Sequence, residues 1–346
     1  MAYPGAVDDF RKCCELQTPS RMPLFALGLE FDMRVSGVTQ REARLDIDKT
    51  VKGLIETVGR SGYDWAMVFP DDYIEFEPLG LQMSDVEDRP TMPTQYLPMD
   101  RDTLNRFRIP DANKEMRLPI HLEMIRRIKQ ELGDTVCVVG RIAAPFSTLG
   151  LIYGIDPFLI ALLEDPDLVR DNMTFFIDHQ IAFGAAQLEA GADVLWLGDC
   201  VAASNFLRVE HYADFAFEPA CAVADALVKA GGLIIYHSAE ISVPHIKWQV
   251  QMPASAVNLG EGPSVAEVRR ELDAKKCVMG NFDPKPLRDA EPQEVADAAS
   301  AMVRENLPDG GYVFNTGEGI METTPEENVE AMLSAARQAA AAVLGE

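Results

Sequence analysis

Eight short apolar runs, each closed by a polar or charged residue, set the limits on what this chain can fold into. They fall at 24–29, 65–69, 136–142, 194–198, 233–236, 254–259, 277–280 and 312–314. Most are followed by a stretch with helical spacing, as Ala43, Leu45, Ile47, Val51, Leu54, Ile55 and Val58 show between 40 and 61. Continuous apolar runs of this length, rich in β-branched residues, suit parallel strands covered on both faces. Strand and helix alternating in this way over 346 residues is the rhythm of an α/β protein of the (β/α)8 TIM-barrel type. The expected organisation is one barrel domain over 1–346, with an N-terminal extension and a long loop insertion around 73–113. No Gly-x-Gly-x-x-Gly follows an early run, which argues against an open doubly wound sheet. The last helix is expected to start with Thr324 as N-cap, Pro325 at its first position and Glu327 as the capping-box acid.

Charge narrows the partners. The formal net charge is −24, and so acidic a surface repels phosphate backbones and anionic lipid, so neither nucleic acid nor a membrane is an expected partner. The first ten residues have neither a basic nor an apolar segment of signal-peptide kind, and no apolar run reaches the ~18 residues of a membrane span. The six cysteines are scattered without a Cys-x-x-Cys, which fits a reduced, cytoplasmic protein.

In a barrel, side chains at the carboxyl ends of the strands converge on one mouth. Here those positions hold Glu30, Asp71, Asp72, Arg141, Asp199, His237, Glu261, Asn281, Asp283, Asn315 and Glu318. So many acids in one cleft repel each other unless a cation or shared protons compensate them. The mouth is therefore suited to a metal ion, a cationic substrate or acid–base chemistry. About half of these residues are expected only to cap helices or make turns, Asn281-Phe282-Asp283-Pro284 above all. His121 and His179 fall in helical patterns, where a surface or partly buried place is expected. His211 lies at a helix start, His245 beyond the mouth, and Cys200 reads as a small buried residue.

Several of these residues belong to a longer pattern. Gly198-Asp199, His237, Gly280-Asn281-Phe282-Asp283-Pro284 and Gly317-Glu318-Gly319-Ile320 occur in that order, followed by Thr324-Pro325-Glu326-Glu327-Asn328-Val329 and preceded by Pro145-Phe146. Over residues 20–340 the chain resembles the uroporphyrinogen decarboxylase superfamily, in particular its corrinoid-dependent branch of methylcobamide:coenzyme M methyltransferase type. The resemblance implies a (β/α)8 barrel, independently of the strand count. It also implies a zinc site built on His-x-Cys and a later Gly-Cys-Gly turn. His237 stands at the histidine position, Ala239 at the first cysteine and Glu318 at the second. A site of imidazole and carboxylates is harder and less thiophilic, so the implied zinc ligands become His237, Glu318 and a further acid, Glu240 or Asp199, the alternative being a site without metal in which Glu318 acts as an acid. The arginine-rich run with which the decarboxylases grip tetrapyrrole carboxylates is replaced by an acidic stretch at 27–34 with Arg34 alone.

The expected activity is accordingly a cobalamin-dependent methyl transfer between a small O- or N-methylated molecule, an aromatic methyl ether among the candidates, and a corrinoid cobalt. No Asp-x-His-x-x-Gly signature is present, so the cobalamin would sit on a separate corrinoid protein. His237, Glu318 and Asp199 are the expected catalytic residues. Glu30, Phe31, Asp71, Arg141, Phe146, Tyr236 and Asn281 are the expected substrate contacts, with Met33, Phe69 and Trp196 as further apolar lining. The alternatives are a related lyase acting on a smaller carboxylic acid held by Arg141 and Arg34, and a non-catalytic binding protein with a decayed metal site.

Overall fold

Seven of the eight apolar runs pair in parallel, in the order they occur in the chain. The computed structural model describes residues 3–69, 71–273 and 275–345. The expected features at residues 1–2, Pro70 and Ala274 lie outside these. The strands are β1 (Trp65–Met67), β2 (Gln82–Met83), β3 (Pro93–Gln95), β4 (Cys137–Ala143), β5 (Val194–Gly198), β6 (Leu233–His237), β7 (Ala256–Asn258), β8 (Cys277–Met279) and β9 (Tyr312–Val313). The main sheet curls in the order β1-β4-β5-β6-β7-β8-β9, while β2 and β3 form a small antiparallel hairpin inside the 73–113 insertion.

The sheet is not closed by a ladder, which corrects the expected ring of eight strands. The run 24–29 forms no strand of its own. Its first residues lie between the two edge strands: Leu24 bridges Phe314 in parallel, the Phe25 amide donates to the Phe314 carbonyl, and the Asp64 amide donates to the Leu24 carbonyl, both at 2.9 Å. The run is cut short because Leu29 takes a left-handed φ of 41° and the helix Glu30–Ser36 begins at once. The fold is thus α/β, a half-barrel of seven parallel strands bridged at its open side, consistent with a TIM barrel.

Alternation along the strands sorts residues between the two faces. Trp65, Val139, Val194, Trp196, Leu233 and Ile235 pack in the inner cluster. Their neighbours Ala66, Val138, Leu195, Leu197, Ile234 and Tyr236 pack outward beneath the helices. The inner face is filled by a column of rings: Phe10 on Phe25 (5.2 Å between centroids), Phe25 stacked on Trp65 (4.5 Å), and Trp65 edge-on to Trp196 (5.9 Å). Phe10 comes from the N-terminal helix Ala6–Cys14. The column plugs the amino-terminal end of the strands and leaves space only at their carboxyl end.

Two helical readings change. The helix expected over 40–61 breaks at Asp46, whose carboxylate caps the second piece, Ile47–Ser61, through the Lys49 amide. The last helix, Glu326–Leu344, takes Pro325 as N-cap. Pro325 is extended (ψ 135°), so Thr324 is one residue too early to cap, and its Oγ1 is buried without a partner among the described residues. No single described helix is long and apolar enough to cross a membrane.

One carboxylate ties the bridging segment to the rest. Asp64, fully buried, accepts from the Leu24 amide (2.9 Å), from Arg21 (3.2 Å) and from Arg337 of the last helix (2.8 Å). Removing one partner of a buried ionic cluster leaves uncompensated charge and costs about 3–5 kcal/mol. Asp64→Ala should lower the unfolding free energy by that amount in a denaturant titration; a loss below about 1 kcal/mol would show that the segment is held elsewhere.

Candidate functional site

At the carboxyl end of the strands lies a cavity of about 250 Å³. Parity decides what faces it. Met67, Arg141, Trp196 and His237 stand on inner-face positions of β1, β4, β5 and β6, and all line the cavity. Leu27, Leu29, Phe69, Leu151 and Val201 complete an apolar wall. Of the polar groups, Cys200, His237 and Glu318 lie together, and Arg141 is paired with Asp72, while Glu30 also lines the cavity.

His237 and Glu318 meet because β6 ends on the histidine and the loop after β9 folds back over it; Nε2 and Oε2 are 3.5 Å apart. Cys200 joins them through register. Gly198 pairs with His237 across β5 and β6, the Asp199 amide donates to the His237 carbonyl (2.7 Å), and Cys200 follows. The thiol, imidazole and carboxylate donors all lie within 4.8 Å of one another. His237 is 2 % exposed, and its Nε2 has no hydrogen-bond partner among the described residues. The Trp196 ring lies against the imidazole, 4.8 Å between centroids. Burial pulls the His237 pKa down, but Cys200 and Glu318 outweigh it and push it up to about 10. Burial likewise raises the Glu318 carboxyl, and His237 outweighs that to hold it below its ordinary value. Glu30 is raised by burial and by the acids Asp72, Glu322 and Glu318.

Several expected site residues are placed elsewhere. Asp199 is fully buried on the outer side of β5, where its carboxylate accepts from Ser147 Oγ and Tyr236 Oη, both at 2.8 Å. Burial pushes it up to about 6 against those hydrogen bonds. Tyr236 points outward by the same parity and also bonds Tyr212 (3.0 Å). Glu240 is not brought together with His237 and Glu318. Its carboxylate accepts from the amides of Ser204, Ile241 and Ser242 and from Ser204 Oγ, clamping the loop after β6. The third donor is Cys200, which is exposed rather than buried.

Asp71 is held outside the cavity by Arg117 (2.7 Å) and the Tyr73 amide (2.7 Å). Phe146 packs on Phe158 (4.7 Å), and Phe31 is core. Asn281 spends its amide on the Gly260 and Pro263 carbonyls. Of the expected contacts, Glu30, Arg141, Phe69 and Trp196 line the cavity. Arg141 is itself engaged by the Asp71 carbonyl (2.8 Å), Glu75 (3.3 Å) and Asp72 (3.4 Å). Arg34 lies outside, bonded to the Thr324 carbonyl. Of the histidines expected at a surface or partly buried place, His121 is fully buried against Gln187 (2.9 Å), and His179 is 2 % exposed.

A second, smaller cavity of about 50 Å³ shares the walls Leu29, Met67 and Phe69 with the first. Asp32 reaches into it and accepts from Tyr63 Oη at 3.3 Å. Burial pushes the Asp32 carboxyl up to about 7, with the tyrosine bond opposing. The folded chain therefore binds this proton more tightly than the unfolded chain, whose value is 3.8. The associated stability is full below the unfolded value and is lost as pH rises through about 7. Asp32→Asn should thus gain on the parent protein in thermal melts between about pH 5 and about pH 8; a gap that does not change with pH would refute the assignment.

The chain matches the uroporphyrinogen decarboxylase (URO-D) family over residues 6–339. It is 25% identical over 306 residues to the uroporphyrinogen decarboxylase of Chlorobaculum tepidum, covering 83% of each chain. It is 24% identical over 350 residues to that of Anaeromyxobacter dehalogenans, covering 94% of this chain and 97% of that one. Among solved structures, a methyltransferase from Methanosarcina mazei superposes with a TM-score of 0.84 at 20% identity, over 96% of this chain and 98% of that one. At that identity the likeness is one of fold.

Proposed function

The chain belongs to the uroporphyrinogen decarboxylase family, and from that premise we propose that it is a methyltransferase. It moves a methyl group between a small O- or N-methylated molecule and a corrinoid carried by a separate protein. The observation that carries this reading is the convergence of Cys200, His237 and Glu318 at one end of a largely apolar cavity. A polycarboxylate tetrapyrrole would want free arginine forks. Arg141 is the one arginine among the described residues lining the cavity, and it is already committed to Asp71, Glu75 and Asp72. The cavity, about 250 Å³, is also smaller than the ~300–1,000 Å³ usual for drug-sized ligands. The same commitment of Arg141, with Arg34 outside, weakens the case for a lyase gripping a smaller acid.

The donor set suits a divalent ion such as zinc: thiol, imidazole and carboxylate converge, and a buried Nε2 lacks a partner among the described residues. Three protein ligands leave a fourth position open, as in catalytic zinc sites. When bound, the ion would supply Lewis-acid polarisation of the methyl-bearing heteroatom. The rest falls to the chain's own residues. Met67, Phe69 and Trp196 take the apolar body of the substrate and keep water out. Where no ion is bound, His237 Nε2, 3.5 Å from Glu318, holds a proton beside the heteroatom, ready to give it up as the methyl group leaves, or to take it in the reverse direction.

The test is methyl transfer from methoxylated and N-methylated small molecules to reduced cobalamin, followed by the appearance of methylcobalamin. The parent protein should transfer, and should carry stoichiometric zinc that His237→Ala loses. Cys200→Ala, His237→Ala and Glu318→Ala should each reduce kcat/KM by about 10²–10⁴-fold. Release of carbon dioxide from a carboxylic acid, with no methyl transfer from either substrate class, would overturn the proposal.

A further inference from the structure

His237 is gripped from behind by an amide pair, Asn258 and Asn315, of which Asn315 alone stands among the strand-end residues. Parallel register places Asn258 beside His237, one strand over. Asn258 Nδ2 lies 3.2 Å from His237 Nδ1, 3.4 Å from the Leu259 carbonyl and 3.3 Å from the Thr316 carbonyl. Asn258 Oδ1 accepts from Asn315 Nδ2 at 2.8 Å. Asn258 and Asn315 are 1 % and 0 % exposed, so water does not arbitrate.

The two carbonyls decide which way the Asn258 amide faces. Turned over, its oxygen would lie against both of them, acceptor against acceptor. The amide nitrogen therefore stays on the imidazole side, its two protons shared among Nδ1, the nearest acceptor, and the two carbonyls. A ring nitrogen that accepts a hydrogen bond carries no proton. From this geometry we infer that Asn258, locked by Asn315 and by the Leu259 and Thr316 carbonyls, is a positioning residue that keeps the proton of neutral His237 on Nε2, facing the cavity.

The consequence concerns the site of the proposed function, and rests on that reading. With its proton on Nε2, His237 is a hydrogen-bond donor toward Glu318 and toward any acceptor atom in the cavity. To ligate an ion through Nε2 it must shift the proton to Nδ1. A metal-binding histidine normally donates its other N–H to an acceptor, and here Asn258 offers an acceptor only by turning over and abandoning both carbonyls. Asn258 thus biases His237 toward holding a proton and weakens its grip on metal. The orientation is kept although Asn315 Oδ1 is left buried without a partner among the described residues.

Nuclear magnetic resonance of isotope-labelled imidazole nitrogens tests this on the metal-free parent protein, where methyl transfer plays no part. The expected result, read above about pH 10 where the ring is neutral, is His237 protonated at Nε2 alone; a proton on Nδ1 of the neutral ring would overturn the inference. Asn258→Asp supplies an acceptor in place of the donor. It should move the proton to Nδ1 and tighten zinc about 10- to 100-fold in competition with a chromophoric chelator. The signals of His121, His179, His211 and His245 report whether the variant has folded. An unchanged tautomer and unchanged zinc affinity in a folded Asn258→Asp would also overturn it. Failure of methyl transfer in the parent protein would remove the proposed function and leave the tautomer result standing.

Discussion

Side-by-side pairing in parallel register is the constraint on which everything else in this molecule depends. Gly198, His237 and Asn258 lie at one level across three adjacent strands. Because paired residues point to the same face, one level supplies a cavity floor, an imidazole and the amide that orients it. A slip of one residue in β6 would exchange His237 for Tyr236 and send the imidazole into the outer layer. Five consecutive backbone pairings between β5 and β6 therefore hold the chemistry as firmly as they hold the sheet.

Packing then confines the chemistry to one end. The column of Phe10, Phe25, Trp65 and Trp196 occupies the inner face from the amino ends of the strands upward. Each of these rings buries a large apolar area, of order 150–250 Å², and together they leave no room for a ligand below Trp196. What remains open is the rim, where loops bring polar groups. The bridging segment 24–29 belongs to both parts: Phe25 joins the column, and Leu27, Leu29 and Glu30 reach the cavity. Its attachment through Asp64 links the stability of the ring to the shape of the site.

Much of this was legible in the chain. Seven of the eight apolar runs are strands, and the opposition of His237 and Glu318 followed from their places after two of those runs. The misses have physical reasons. Asp199 follows a strand and Tyr236 precedes the histidine that ends one, which suggests the mouth, but counting by two from Trp196 and from His237 turns both outward. Glu240 looked like a ligand three residues past the histidine; Ala239 adopts a left-handed φ of 51° there, and the chain bends so that the carboxylate caps its own loop. From sequence Cys200 reads as a small buried residue because free cysteines are commonly buried, whereas it is exposed. The strand pairing that brings it level with His237 is a tertiary fact that one-dimensional spacing does not contain. The run 24–29 was apolar enough for a strand, yet Leu29 and the helix after it stop it from extending.

The contact between the Trp196 ring and His237 gives the molecule an optical property of its own. Indole emission is quenched by a nearby cationic imidazole and altered when a thiol or an ion changes the local field. The chain holds three tryptophans, and Trp196 alone lies on the histidine, with Trp65 next in line below it. A change in the protonation of His237 should therefore register in the intrinsic fluorescence of the protein, through the same ring that closes the cavity floor.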